Sequence, residues 1–262
     1  MRTSVPPARN HDPADPEAAR GQRRGLSFAA LCAPGGRASV PRGVRLRLDP
    51  DLVEERVLWA RGHRFVAGID EVGRGCLAGP VVAAAVILPR DWIPSGVRDS
   101  KLLDPEARER VAAEIRARAV AWAIAAVEAE LIDRINILQA TILASTLAAA
   151  RLSVRPDALL LDALPLPGIG LPQRVLVDAD RLCVSVAAAS VVAKVARDRF
   201  MVAMDARYPG YGFAGHKGYA SPEHRDALVV LGASPLHRRS FASLADLPPA
   251  DQLDLWEAGD GG

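Results

Sequence analysis

Two acids side by side, Asp70 and Glu71, close an apolar run (Val66-Ala67-Gly68-Ile69) and enter a glycine-broken turn, Gly73-Arg74-Gly75. Neighbours on a strand face opposite ways, so both acids can serve one site only where the chain twists or bulges, which the glycines permit. Carboxylates about 4 Å apart repel by roughly 4 kcal/mol at an effective dielectric near 20, so a proton or a cation has to sit between them. Asp162 and Asp180 stand at or just beyond the ends of later apolar runs, Ala158–Leu161 and Arg174–Val177. Four acids without a His or Cys partner form an oxygen-only ligand set, suited to Mg²⁺ or Mn²⁺ and not to zinc. Two such ions about 3.5–4 Å apart clamp the attacking and leaving oxygens of a phosphodiester displacement. Taken singly, Asp162 or Asp180 reads more plainly as a turn former; the adjacent pair shifts that balance.

The elements that must carry these acids follow from the pattern around them. Val66–Val72 and Pro80–Leu88 read as an antiparallel pair of strands, Ala119–Val127 as a third, Ala158–Leu161 as a fourth and Arg174–Val177 as a fifth. Asp49-Pro50 starts a short helix with Leu52, Val57 and Leu58 on its apolar face, and Asp104-Pro105-Glu106 caps another running to about Arg118. Helices are also predicted over 129–151, 186–207 and 222–231. Strands cluster first and later alternate with helices, which points to an α/β fold with a mixed sheet covered by helices. The Ala-rich segment 138–150 contains Gln139, Thr141, Ser145 and Thr146, so it reads as a buried core helix and no membrane span is expected.

At 262 residues and 50% hydrophobic, the chain can bury one substantial core. Residues 1–43 are rich in Pro, Arg, Ala and Gly and read as a disordered arm, with nine arginines against four acids up to Asp49. Arg23-Arg24 precedes too poor an apolar stretch to serve as an export signal. Cys32, Cys76 and Cys183 fit neither a disulfide frame nor a metal knuckle, so a reducing, cytoplasmic setting is expected. Net charge is +2, which says little about nucleic acid, but only three of 33 basic residues are lysines: Lys101, Lys194 and Lys217.

The segment I-D-E-V-G-R-G-C-L-A-G-P-V-V (Ile69–Val82) resembles the signature of the ribonuclease HII family, the type 2 ribonucleases H. The resemblance continues in order through D-S-K-L-L (Asp99–Leu103), I-N-I-L-Q-A-T (Ile135–Thr141), A-A-A-S-V-V-A-K-V-A-R-D-R (Ala187–Arg199), H-K-G-Y (His216–Tyr219) and H-R-R-S-F (His237–Phe241). It covers roughly residues 65–245, and all three lysines fall inside it. It implies a ribonuclease H-like fold with a five-stranded mixed sheet flanked by helices, a catalytic domain over 44–245 and a short tail over 246–262. It also implies the substrate: RNA in RNA–DNA hybrids and single ribonucleotides in duplex DNA, cut on the 5′ side to leave 3′-hydroxyl and 5′-phosphate ends.

The same resemblance implies two divalent ions, Mn²⁺ or Mg²⁺, on Asp70, Glu71, Asp162 and Asp180. Where the family usually follows the third acid with glycine, this chain has Ala163, and where the family shows Gly-Asp it has Asp178-Ala179-Asp180. Asp178 is therefore an alternative to Asp180. Gly73, Arg74, Gly75 and Tyr219 would read the 2′-hydroxyl, and Ser100 and Lys101 would hold a backbone phosphate. Tyr219 as a half-buried core aromatic and Ser100 as a helix cap are the blander alternatives. Lys194, Arg197 and Asp198 read as structural, with Lys194 and Asp198 paired at i,i+4. His216 and His237 could bind phosphate or carry protons, though a lone loop histidine more often does neither. Arg238 and Arg239 read either as duplex contacts or as a solvated pair. The related ribonuclease HIII family typically carries lysine at the Arg74 position, which sets it second; a catalytically dead hybrid-binding module is third. A monomer is expected; a sliding-clamp contact through the tail is conceivable, with no motif that supports it strongly.

Overall fold

The computed structural model describes residues 49–98 and 100–241; the arm assigned to 1–43, the tail assigned to 246–262 and Asp99 lie outside the described residues. Five strands, β1 (Val66–Val72), β2 (Val81–Ile87), β3 (Ala121–Val127), β4 (Ala158–Asp162) and β5 (Gln173–Leu176), form one sheet in the order β3-β2-β1-β4-β5. β1 pairs antiparallel with β2 and parallel with β4, and β4 pairs parallel with β5, so the sheet is mixed, as expected.

Alternation along the strands splits the core into two layers. On β2, Val81, Ala83, Ala85 and Ile87 pack with Ile132, Ala140, Ala144 and Ala148 of α3 (Ala129–Ala150), while Val82, Ala84 and Val86 face the other way. There they meet Val111 and Ile115 of α2 (Pro105–Arg118) and Val184, Ala188 and Val191 of α4 (Val184–Arg207). Buried on both sides, β2 has no polar residue because neither face meets water. α4 lies so close to β1 that a Cβ at Gly68 would fall 2.2 Å from the Ser185 carbonyl carbon. Only glycine at position 68 lets the helix N-terminus approach the strand that carries Asp70.

The start of α4 is also held from outside. α1 (Val53–Ala60) begins a few residues later than Asp49-Pro50, with Asp51 Oδ1 accepting from the Val53 amide at 2.9 Å. It buries Glu55, whose Oε1 accepts from the Ser185 amide at 2.8 Å and hydroxyl at 2.7 Å. Burial raises the Glu55 pKa, and the Ser185 bonds oppose that rise.

Two helices depart from the expected pattern. The segment 129–151 is not one continuous helix: Asn136, at φ 66° and ψ 164°, breaks α3, and its Oδ1 accepts from the Gln139 amide at 3.0 Å to start the second part. A four-residue helix, α5 (Phe213–His216), precedes α6 (Pro222–Leu231), which Ser221 caps through the His224 amide. Asp104 caps α2 as expected, accepting from Ala107 at 2.7 Å with Pro105 behind it. Among the described residues no helix is long and apolar enough to cross a membrane.

Candidate active site

Parallel pairing of β1 with β4 sets Ile69 opposite Leu161, so the next residues along the two strands are Asp70 and Asp162. Asp162 is in turn opposite Leu176 of β5, and the chain then turns through Ala179–Arg181, a single 3-10 turn that carries Asp180. Asp162 Oδ1 accepts from the Ala179 amide at 2.9 Å, which ties this turn to the end of β4. The central strands and their crossover therefore bring all four predicted acids to one edge of the sheet.

Their electrostatics show the neighbourhood. Asp70 is buried, and its pKa is pushed well up, first by burial, then by Glu71, and further by Asp180 and Asp162; a hydrogen bond from Ser190 opposes the rise. Glu71 is raised by burial and by Asp162, with Arg74 pulling the other way from 3.2 Å. Asp178 is exposed and does not figure among the charges acting on Asp70, so the geometry favours Asp180 over its neighbour.

The donor set fits a hard divalent cation: it is all oxygen, and the neighbouring carboxylates raise the pKa values of Asp70 and Glu71 because the charge is under-neutralised. The acids ring the site without closing on one point. Among the described residues, no three Asp, Glu, His or Cys side chains are already arranged to hold a single ion.

The residue after Asp162 shows how this chain departs from the glycine expected there. Ala163 adopts φ +53°, in the left-handed region, while its amide donates to Leu176 O at 2.8 Å. A side chain there costs roughly 1–2 kcal/mol. Ala163→Gly is expected to stabilise the protein by about 0.5–1 kcal/mol even after the extra chain entropy of glycine. Urea unfolding would show this as a higher midpoint with unchanged slope; a lower midpoint would mean that the methyl group packs more usefully than the backbone is strained.

The substrate-binding residues divide. Tyr219, partly exposed, lies over Arg197 and Lys194 at 5.9 and 5.7 Å and hydrogen-bonds the Cys76 thiol, so it stands beside the glycine turn. Arg74 and Gly75 are exposed in that turn, and Lys101 is exposed next to Ser100. Ser100 is placed differently from a phosphate ligand. It is 4% exposed, and its hydroxyl is 3.0 Å from Ser190 Oγ, which also bonds Asp70. An ionised Asp70 can only accept, so Ser190 donates to it and Ser100 donates to Ser190. The helix cap that Ser100 could have supplied comes from Asp104.

Lys194 pairs with Asp198 at 2.7 Å, as the i,i+4 spacing predicts, and Arg108 joins at 3.4 Å. Arg238 is the largest departure: neither a duplex contact nor solvated, it is 0% exposed beneath the glycine turn. Arg239 donates from its side chain to Ala233 O at 3.2 Å. Nor are His216 and His237 lone histidines. With His224 they form a packed cluster, His224 and His237 sharing an Nε2···Nε2 contact of 3.0 Å and His216 stacking on His224 at 4.2 Å. Cys76 and Cys183 are free, buried thiols raised by burial.

The same acids, glycine turn and tyrosine fall within a stretch shared with known proteins: the family description of ribonuclease HII matches residues 67–244. The chain belongs to the ribonuclease HII family. Ribonuclease HII of Solibacter usitatus is 51% identical over 83% of this chain and 96% of its own length. That of Anaeromyxobacter sp. is 53% identical over 74% of this chain, a match that spans 62% of the relative. Among solved structures, ribonuclease HII of Archaeoglobus fulgidus, determined in complex with PCNA, superposes with a TM-score of 0.60 at 29% identity. The match covers 68% of this chain and 95% of that one. As a ribonuclease HII family member the chain is a nuclease, a hydrolase of phosphodiester bonds, on a ribonuclease H-like fold.

Proposed function

We propose that this protein is a divalent-metal-dependent endonuclease that hydrolyses RNA in RNA–DNA hybrids and cuts duplex DNA on the 5′ side of a single embedded ribonucleotide, leaving 3′-hydroxyl and 5′-phosphate ends. The observation that carries the reading is the meeting of Asp70, Glu71, Asp162 and Asp180 at one sheet edge, next to a glycine turn and an exposed tyrosine. These four acids would hold Mg²⁺ or Mn²⁺. Two such ions supply an activated attacking water and charge neutralisation at the departing 3′ oxygen.

The chain's own groups do the rest. Asp70 is aimed by Ser190, which Ser100 orients in turn, so Ser100 acts on the site through Asp70. The backbone of Gly73, Arg74 and Gly75 approaches the sugar of the ribonucleotide, and the Tyr219 ring stacks against it with its hydroxyl available to the 2′-oxygen. Lys101 offers a point charge to a backbone phosphate, a contact that positions the duplex without reading its sequence.

The test uses a DNA duplex carrying one ribonucleotide, with Mg²⁺ or Mn²⁺, beside an all-DNA duplex. Cleavage confined to the 5′ side of the ribonucleotide is expected. A folded protein that binds the duplex but cuts neither strand with either metal would instead indicate a hybrid-binding module.

A further inference from the structure

Two guanidinium groups lie under the turn that follows Asp70-Glu71, and both are 0% exposed. Arg238 donates from Nη2 to Gly73 O at 2.7 Å, from Nη1 to Arg74 O at 2.8 Å, and from Nε and Nη2 to Gly79 O at 3.0 and 2.8 Å. Arg197, on α4, donates from Nη2 to Ala78 O at 3.0 Å, from Nε to Pro80 O at 3.0 Å and from Nη1 to Lys217 O at 2.8 Å. Among the described residues neither forms an ion pair with a carboxylate. A buried cation without an anionic partner is costly, and burial draws Arg238 down to about 10, with Arg197 adding to the fall. Such an arrangement persists only where the guanidinium fork is matched by several acceptors at once.

The match here is to one segment. Five of its carbonyls, at Gly73, Arg74, Ala78, Gly79 and Pro80, turn inward onto the two arginines. The shape of the turn is fitted to them, since a Cβ at Gly73 would come within 2.2 Å of Arg197 Nε and Gly73 itself sits at φ +92°. The remaining amides of the segment are pinned from the same side: Leu77 donates to Gly218 O at 2.9 Å and Gly79 to Leu236 O at 2.8 Å. Among the described residues no acceptor engages the amides of Gly73, Arg74 and Gly75, and of these residues Gly73 is buried whereas Arg74 and Gly75 are exposed. With the carbonyls held inward, the amides of the two exposed residues are the donors left for a ligand.

We propose that Arg197 and Arg238 are positioning residues for specificity: a buried double clamp that presets the backbone of Gly73–Pro80 so that the turn meets the ribonucleotide sugar in one fixed conformation. The role assigned to the sugar rests on the function proposed above; the clamp itself does not. Arg238→Lys removes the fork, because one ammonium cannot reach the three carbonyls that Arg238 spans.

The experiment compares wild type with Arg238→Lys on the single-ribonucleotide duplex, together with duplex affinity in the absence of divalent metal. Misplacement of a substrate-positioning group by about 1 Å costs about 10²-fold in rate. A fall of that order in kcat, with KM and duplex affinity within about twofold, is expected. Activity unchanged in the folded variant, or a loss carried wholly by weaker duplex binding, would overturn the proposal. Hydrogen exchange of the two free proteins decides separately. Amides of Leu77–Gly79 protected in wild type as well as those of β1, and exchanging faster in Arg238→Lys, support the clamp; exchange at the rate of an open loop in wild type, or unchanged protection in the folded variant, defeats it. If wild type itself cuts nothing, the functional reading fails while the exchange result still judges the clamp.

Discussion

Asp70→Asn is expected to abolish cleavage and, in metal-free buffer, to raise the melting temperature. Asp70 is a buried carboxylate whose pKa is pushed well up by burial and by Glu71, Asp180 and Asp162. Asparagine keeps the shape and an acceptor for Ser190, and removes the charge that the other acids oppose. The loss in activity should be about 10³-fold or more, because an ion at the site contributes several kcal/mol of charge stabilisation and each 1.36 kcal/mol is about tenfold in rate. The gain in stability should appear as about 2–4 °C for each kcal/mol of repulsion relieved in a chain of this size. The sign with pH follows from linkage. An acid whose native pKa is raised destabilises the native state above that pKa, and the cost is relieved as pH falls through it. The advantage of the variant should therefore be largest near neutral pH and fade on acidification. Adding Mg²⁺ or Mn²⁺ should stabilise wild type by mass action and the variant much less. A variant that melts lower at neutral pH and still cleaves would place the chemistry elsewhere.

Why the acids are readable from sequence while their support is not has a physical basis. Asp70 and Glu71 lie in the last, turn-ward residues of β1, Asp162 ends β4 and Asp180 follows β5 in a 3-10 turn, and each of these places is marked locally by an apolar run that stops. The cap at Asp104-Pro105 is equally local, its acceptor and donor three residues apart. Arg238 has no such mark: its partners Gly73 and Gly79 lie 165 and 159 residues away, and nothing near H-R-R-S-F separates a buried arginine from a solvated one. Ser100 is hidden for the same reason, since Ser190 is 90 residues distant. A sharper signal does exist in Arg197, four residues before apolar Met201 on a helix whose preceding face is almost wholly alanine and valine. A charge embedded in such a face either pairs or meets backbone, and here it meets backbone. The break at Asn136 leaves no trace because Ile and Leu on both sides continue the helical period across it.

Acidification from about pH 6.5 downward should cost stability through the histidine cluster while both of its buried rings stay neutral in the native state. The hydrogen bonds assign the tautomers: His237 Nδ1 accepts from the Ser234 amide at 3.0 Å, so its Nε2–H donates to His224 Nε2, and His224 Nδ1–H donates to Tyr219 O at 2.8 Å. Both rings are neutral in this arrangement, and an added proton on either would face a donor head-on. Burial lowers His224 to about 4, and burial together with His224 lowers His237 to about 3, against an ordinary value of 6.5. Below 6.5 the unfolded chain then binds more protons than the native one, so stability falls with pH through the window from about 6.5 to between 4 and 3. Each tenfold change in proton affinity is worth about 1.36 kcal/mol, so the two rings together contribute several kcal/mol across that window. Asp70, Glu71 and Glu55, all raised, act with the opposite sign at its acid end, so unfolding curves alone would understate the effect. Imidazole NMR isolates it: His224 and His237 should remain neutral at pH 5 in the folded protein. Because His224 holds the carbonyl of Tyr219, cleavage should fail along with the cluster when the pH is lowered further. Rings that titrate near 6.5 while the fold persists would show that the cluster carries its charge and that its loss is not what limits acid stability.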